Sequence, residues 1–437
     1  MCVIMHISLH GLKKMNNTWK KIQLKDVADI VGGGTPSTKN PSYWNGEVAW
    51  LTPKDLSGYM ERCISRGERN ISREGLDNSS AILLPKGTVL LTSRAPIGYV
   101  AIANNPLSTN QGFKSLILKK GQNPLFYYYL LKANVEYIQN MGSGSTFKEV
   151  SGGVVKELTF LIPEYEEQKR IAEILGSLDD KIELLQKQNK TLEDMAKALF
   201  KSWFVDFDVV RAKQKGLPKA DIMREYHLTD ELYDLFPSSF ADSPLGPIPS
   251  GWEVKPLSKI ATFLNGLALQ KYPARAEEDF LPVIKIAELR NGISTSTDKA
   301  NTNLPTEYIV HNGDILFSWS GSLMVKVWSG EKGALNQHLF KVFSNGYPKW
   351  FYYLWVNHYL PMFQEIAADK ATTMGHIQRK HLDQAKVVCP SSAFLDKMDK
   401  IFGVILSKII LNNKQIQTLT ELRDTLLPRL ISGKIRV

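Results

Sequence analysis

Two hydrophobic periods alternate along this chain. From Ile171, residues at alternating spacings of four and three are almost all apolar: Ile171, Leu175, Leu178, Ile182, Leu185, Asn189, Leu192, Ala196, Leu199 and Trp203. The spacing returns as Met398, Phe402, Ile405, Ile409, Asn412, Ile416, Leu419, Arg423, Leu426 and Leu430. Such heptads predict two long helices, each with a narrow apolar seam suited to pairing with another helix. No proline interrupts either until Pro428. Each seam carries one asparagine, Asn189 and Asn412, expected at different layers; a buried Asn of this kind fixes register and partner. The helices could each pack on their own domain, but two matching seams in one chain favour packing on each other.

Upstream of each seam the pattern is mixed. Short β-like runs such as Val89-Leu90-Leu91, Tyr99-Val100-Ala101-Ile102, Ile315-Leu316-Phe317 and Val325-Lys326-Val327 are separated by Gly, Pro, Asn and Ser turns. An aromatic helical stretch follows each set, Leu125 to Ile138 and Trp350 to Phe363. Each region reads as a compact α+β domain of ordinary size.

The two halves are copies. Trp19, Leu24 and Val27-Ala28 recur as Trp252, Leu257 and Ile260-Ala261, an offset of 233 residues. Asn110-Gln111 recurs as Asn336-Gln337 at 226, and Phe126-Tyr127-Tyr128 as Phe351-Tyr352-Tyr353 at 225. Several matches in order, at nearly constant spacing, define an internal duplication rather than a solenoid. The predicted architecture is α+β: two similar globular domains joined by two long helices, with a pseudo-two-fold relation. The expected boundaries are an N-terminal extension over 1–15, a first domain over 16–163, a helix over 164–205, a linker over 206–250, a second domain over 251–389, a helix over 390–432 and a tail over 433–437. Met15 is an alternative start to Met1. The length of the linker fits a chain that travels from the end of one helix to a distant second domain.

Composition narrows the chemistry. The 437 residues carry a formal charge of +10, which favours a polyanionic partner such as nucleic acid. Three scattered cysteines, Cys2, Cys63 and Cys389, form no C-x-x-C pair, which argues for a reducing compartment and a cytoplasmic protein. No apolar run reaches membrane-spanning length. The phosphate-cradling G-x-x-x-x-G-K-[ST] motif is missing, since Gly433-Lys434 is followed by Ile435. Asn40-Pro41-Ser42-Tyr43 lacks the second proline of the adenine methyltransferase N-P-P-Y signature. The histidines show no metal-ligand spacing. No catalytic, cofactor-binding or metal site is therefore expected in this chain. Two duplicated domains, a basic balance and a long spacer point instead to bipartite recognition. The rival readings are a fused methyltransferase and a coiled-coil scaffold without sequence preference.

Several motifs carry a family resemblance. They are Gly33-Gly34-Thr35-Pro36-Ser37, Trp50-Leu51-Thr52-Pro53-Lys54-Asp55-Leu56, Leu91-Thr92-Ser93-Arg94-Ala95-Pro96-Ile97-Gly98 and Ser108-Thr109-Asn110-Gln111-Gly112-Phe113. Together they resemble the target recognition domain of type I restriction-modification specificity subunits (HsdS). Pro163, Glu167-Gln168, Ile171-Ala172 and Leu178-Asp179 resemble the start of the family's first spacer helix. The run Leu199 to Asp208 resembles its central junction, and Leu422 to Gly433 its C-terminal end. The second domain departs most: Trp319-Ser320-Gly321-Ser322 replaces the Ser-Arg-Ala-Pro pattern.

The resemblance implies a non-catalytic DNA-binding subunit with two target recognition domains joined by an antiparallel coiled-coil spacer. Each domain would read one half of a split, asymmetric site in double-stranded DNA. Two methyltransferase (HsdM) subunits would dock on the helices and methylate adenine with S-adenosylmethionine. Two motor-nuclease (HsdR) subunits would add restriction with ATP and Mg, none of these cofactors being bound by this chain. A seam from Ile171 to Trp203 spans roughly 50 Å, enough to separate two domains by about one DNA turn, roughly 34–36 Å.

Each domain offers side chains able to grip base edges or phosphates. In the first domain they are Thr35, Ser37, Lys39, Ser93, Arg94, Asn110, Gln111 and Lys148. In the second they are Lys271, Arg275, Ser318, Ser320, Asn336, Gln337, His376, Arg379 and Lys380. The repeated Asn-Gln pair either reads bases or holds a loop. Phe200, Trp203, Phe204 and Phe207 crowd the end of the first helix, and Leu426, Leu427, Leu430 and Ile431 that of the second. If exposed, these clusters would be apolar docking patches for the partners.

Overall fold

The computed structural model of the chain describes residues 19–59, 61–144, 148–275, 279–369 and 375–437. The expected N-terminal extension over 1–15 lies outside the described residues. The chain divides into two compact units, residues 1–183 with 419–437, and residues 184–418. Each is mixed α and β.

The first unit is built on a five-stranded sheet in the order Ala28–Gly32, Lys114–Leu118, Val89–Ser93, Ile97–Ala103, Cys63–Ile64. Every residue of Val89–Ser93 is buried, as expected of a central strand covered on both faces. A second sheet pairs Trp44–Leu51 antiparallel with Arg69–Ile71 and parallel with Ser108–Thr109. The strand Lys20–Gln23 pairs antiparallel with Thr159–Ile162. The aromatic helix Pro124–Ala133 starts on an Asn123 cap, whose side chain accepts from the Phe126 amide, and Pro124 sits where a missing N–H costs nothing.

The second unit repeats most of this plan, without a counterpart of the edge strand Cys63–Ile64 and with an added strand, Ile309–Val310. Thr262–Asn265, Leu339–Phe343, Ile315–Ser318 and Val325–Val327 follow the order of the first four strands of the larger sheet. Phe280–Ile284 runs parallel to Gly333–Leu335 as Trp44–Leu51 does to Ser108–Thr109. Glu253–Pro256 pairs with Lys386–Cys389 as Lys20–Gln23 does with Thr159–Ile162. The aromatic helix is longer here, Lys349–Ala368, and runs on through Pro361.

The seams form two helices, Tyr165–Phe200 of 36 residues and Ser392–Ile431 of 40. At 1.5 Å per residue they are about 54 and 60 Å long. Within the second unit, Asn412 Nδ2 donates to Asn189 Oδ1 at 2.9 Å, and Asn189 Nδ2 donates to Asn413 Oδ1 at 2.7 Å. Within the first unit, Arg423 Nη1 pairs with Asp179 Oδ1 at 2.7 Å. In the second unit the Trp203 ring, just past the end of the first helix, lies 5.8 Å from that of Phe402, so as the chain runs on from Asn189 to Trp203 the second helix runs back from Asn412 to Phe402, and the segments are antiparallel. This corrects the expected placement of the two asparagines at different layers. That placement compared the copies in parallel; antiparallel pairing puts them in one layer, bonded to each other.

Asp179 is a buried anchor. Its other oxygen accepts from the Tyr129 hydroxyl at 2.6 Å, and 6% of its side chain is exposed. Arg62, also buried, pairs with Asp180 and, at 3.0 Å, with Glu183. These bonds tie both helix segments to the first domain. Asp179→Ala leaves the Arg423 guanidinium without its buried partner. We expect a loss of about 3–5 kcal/mol, measured by urea unfolding followed through tyrosine and tryptophan fluorescence; an unchanged midpoint would show that the pair is dispensable.

The segment over 206–250 is not an open connection. It folds into the helices Asp208–Gln214, Lys219–Glu225 and Asp230–Leu235 and a small hairpin, Phe240–Ala241 with Ile248–Pro249. Val209, Val210, Ile222, Leu228, Phe236 and Ile248 join the main core of the second unit. Its apolar residues are numerous enough to pack, which an extended linker would not need.

The helix-end clusters are also core. Phe200, Trp203, Phe204 and Phe207 are buried against Trp252, Trp350, Phe394 and Phe402 in the second unit. Leu430 and Ile431 are buried with Trp19, Leu24 and Phe160 in the first, with Leu426 and Leu427 half-buried beside them. The expectation of two exposed apolar docking patches is therefore corrected: each cluster closes a globular core instead of facing solvent.

Candidate nucleic-acid interface

Both domains carry the same hydrogen-bonded loop frame at one end of the larger sheet. In the first, the Gly34 amide donates to the Thr109 carbonyl at 2.9 Å and the Asn110 amide to the Leu51 carbonyl at 2.8 Å. The Ser93 amide donates to the Gly112 carbonyl at 2.8 Å, and the Val150 amide to the Ser93 carbonyl at 3.0 Å. In the second, Leu267 donates to Leu335, Asn336 to Ile284, Trp319 to His338 and Ile377 to Trp319, at 2.9, 3.2, 3.3 and 3.0 Å. Five segments distant in sequence thus converge twice in the same way.

Two features explain why these residues are needed. A Cβ on Gly33 would lie 2.1 Å from the Asn110 carbonyl oxygen, and one on Gly266 would lie 2.3 Å from that of Asn336. Only glycine permits that approach. Asn110 Oδ1 accepts from the Gly112 amide at 2.9 Å, and Asn336 Oδ1 from the His338 amide at 3.2 Å. The repeated Asn therefore closes a turn on its own backbone, a common role for this side chain.

The frame sorts the candidates. Ser93 and Ser318 are buried and tied to backbone: Ser93 Oγ donates to the Gly112 carbonyl at 3.2 Å, and Ser318 Oγ to the Ser322 carbonyl at 2.7 Å. They, with Asn336, are structural and are corrected as base-reading candidates. Thr35 and Gln111 are exposed and bonded to each other, Thr35 Oγ1 donating to Gln111 Oε1 at 2.5 Å. Ser37 and Lys39 are exposed on the same loop, where the Ser37 carbonyl accepts from Trp44 Nε1 at 3.2 Å. Arg94 is half-buried and pairs with Glu149 at 3.4 Å, next to exposed Lys148. In the second domain, Ser320 Oγ lies 2.9 Å from His338 Nδ1, half-buried His376 bridges Ser320 through backbone, and Gln337 is half-buried. Lys271 ends the turn Leu269–Lys271, Arg275 follows it, and Arg379 and Lys380 open the helix Arg379–Gln384; all four are exposed.

Sequence reasoning missed Lys114, Glu149, Trp319 and His338. Lys114 Nζ lies 3.5 Å from Glu149 Oε1, so one carboxylate sits between Arg94 and Lys114 and orients both cations. Trp319 Nε1 donates to Asn265 Oδ1 at 2.9 Å and to the Gln337 carbonyl at 3.1 Å. His338 directly follows the repeated Asn-Gln pair, the one signal that could have found it. Among the described residues no group of three His, Cys, Asp or Glu could hold a metal ion, and no helix is long and apolar enough to cross a membrane. Burial pushes the Cys389 thiol up to about 11 and raises that of Cys63, so neither is a ready nucleophile at neutral pH.

Two duplicated α+β domains, each with one loop frame carrying different polar side chains, define a tandem-domain recognition protein. A sequence profile described as the type I restriction modification DNA specificity domain matches residues 16–194 and 249–421. The chain belongs to this family: it is a type I restriction-modification specificity subunit, a recognition component without catalytic activity of its own. It is 35% identical over 434 residues to the MjaIX specificity subunit of Methanocaldococcus jannaschii, covering 97% of this chain and 95% of the relative. It is 26% identical over 481 residues to the HindI specificity subunit of Haemophilus influenzae, covering 95% and 99%. The crystal structure of an S subunit from M. genitalium shares the fold at a TM-score of 0.55 and 17% identity, covering 96% and 98%.

Proposed function

We propose that this chain chooses the DNA site for its complex, each domain reading one half of a split, asymmetric sequence. The observation that carries this reading is the repetition of one rigid loop frame with different side chains mounted on it. Arg94 and Gln111 on the first, and Gln337 on the second, have the donor and acceptor chemistry that distinguishes base pairs in the major groove; Ser320 is buried against His338 and, contrary to expectation, reads no base itself. Exposed Lys39, Lys148, Lys271, Arg275, Arg379 and Lys380 supply charge for phosphates. The test is to exchange residues 251–389 for the same region of a relative and map methylated adenines across a genome. One half of the target is expected to change and the other to stay; alteration of both halves would end the idea of independent reading.

The assembly proposed around it has two methyltransferase and two motor-nuclease subunits in the cytoplasm. S-adenosylmethionine, ATP and Mg belong to those subunits, and this chain binds none of them. With the helix-end clusters buried, docking falls to the long helices. Leu184, Met195, Val404 and Leu411 are between 49% and 62% exposed. Each precedes a seam residue by one position, so all four lie on corresponding flanks. In an antiparallel pair those flanks face the same side. Leu192 and Ile416 are only half-buried although they occupy seam positions, as a bare helix pair would leave them. Leu184→Lys with Leu411→Lys is expected to cut methyltransferase co-purification at least tenfold while melting as the parent does. Undiminished co-purification would place the docking surface elsewhere.

A further inference from the structure

The repeated frame allows the two recognition surfaces to be compared position by position. Where the first domain has Ser93, Arg94, Gly112 and Glu149, the second has Trp319, Ser320, His338 and His376. At the third of these positions the first domain has no room: a Cβ on Gly112 would lie 2.7 Å from Pro53 and 2.9 Å from Asn110 Oδ1. The second domain mounts an imidazole there. His338 does the same backbone work as Gly112, its amide donating to Asn Oδ1 and its carbonyl accepting from the residue at the Ser93 position. That work needs no side chain, so the frame does not account for the imidazole.

The imidazole is nonetheless held in place. Its Nδ1 lies 2.9 Å from Ser320 Oγ, and its ring lies 6.1 Å from that of Trp319 at an interplanar angle of 35°. Trp319 is itself fixed by its two indole hydrogen bonds and by Phe340 at 5.9 Å. The remaining ring nitrogen, Nε2, lies 3.5 Å from Gln337 Nε2. An amide and an imidazole edge therefore converge at a half-buried point on an immobilised aromatic shelf. Pre-oriented side chains of this kind lose little entropy on contact with a ligand.

We propose that Gln337 and His338 form one base-reading edge for a purine in the half-site of the second domain, positioned by Ser320 and Trp319. This rests on the reading of the chain as a DNA specificity subunit and deepens it. Purines present N7 as a major-groove acceptor, with a donor in adenine or a second acceptor in guanine beside it. An amide pairs with either pattern, and an imidazole supplies a donor or an acceptor according to its tautomer. The first domain, with glycine at this place and Arg94 nearby, reads its half-site with a different set.

The test uses the full chain with its methyltransferase subunits and a randomised DNA duplex pool from which bound sequences are selected. His338→Gly installs the residue that the first domain has at this position. It is expected to lower the purine preference about ten- to a hundredfold at a single position of one half-site, with the other half-site unchanged. Ser320→Ala keeps the imidazole and removes its anchor; a smaller loss at the same position is expected. If His338→Gly does not fold, Ser320→Ala alone carries the test. A uniform fall over all sequences, a change in the other half-site, or no change in preference would overturn the assignment. If the unsubstituted complex selects no sequence at all, the specificity reading fails first, and the two failures are distinguishable.

Discussion

Phe204→Asp is expected to unfold the second unit rather than to release a partner. Phe204 has no exposed surface, and its ring lies 5.7–6.0 Å from those of Trp252, Trp350, Phe351, Phe394 and Phe402. Truncating a buried Phe to Ala costs about 3–5 kcal/mol. A carboxylate in the same place adds the cost of an unpaired buried charge, which together approach the whole stability of an ordinary domain. The expected readout is aggregation on expression, or a melting transition lost for the second unit and kept for the first. Phe204→Leu, which keeps most of the apolar volume, is expected to stay folded. A soluble Phe204→Asp protein with an unchanged melting curve would mean that the junction is not core.

Four residues inserted after Lys187, with four more after Lys414, are expected to lengthen the gap between the half-sites. Asn189 pairs with Asn412 and Asn413, so the two insertion points face one another and the seams stay equal in length. Each insertion adds roughly 6 Å of helix, worth one or two base pairs at about 3.4 Å each. The half-sites themselves are expected to stay the same, because no residue of either loop frame is altered. An insertion in one helix alone breaks the match between the asparagines and leaves polar groups buried without partners, so stability is expected to fall by about 1–3 kcal/mol. The spacing of methylated adenines decides the matter. An unchanged gap with normal activity in the double insertion would mean that the helices do not set the spacing.

Much of the fold was legible because its signals are local or periodic. Trp19 and Trp252, or Phe126-Tyr127-Tyr128 and Phe351-Tyr352-Tyr353, mark equivalent core positions of two copies, and the order and register of the strands they share proved equivalent as well. The interface was less legible. Ser93, Ser318 and Asn336 are polar residues in the right loops, yet they are spent on the frame. A polar side chain that closes a turn and one that faces a ligand look alike in a sequence, since both avoid burial without a partner.

Sequence alone determined the duplication, the α+β character of each half and the two heptad seams. Heptad spacing and strand alternation are consequences of backbone geometry that any single segment displays. Tertiary structure decided what each apolar or polar cluster faces. It buried Phe200 to Phe207 in the second unit and Leu430 and Ile431 in the first, because a globular core is closed by whichever apolar residues the chain path brings to it. It set Asn189 against Asn412, because helix direction, not sequence offset, chooses the layer. And it distinguished His338 from Gly112, because only the packing around Pro53 and Trp319 determines whether that turn can carry a side chain.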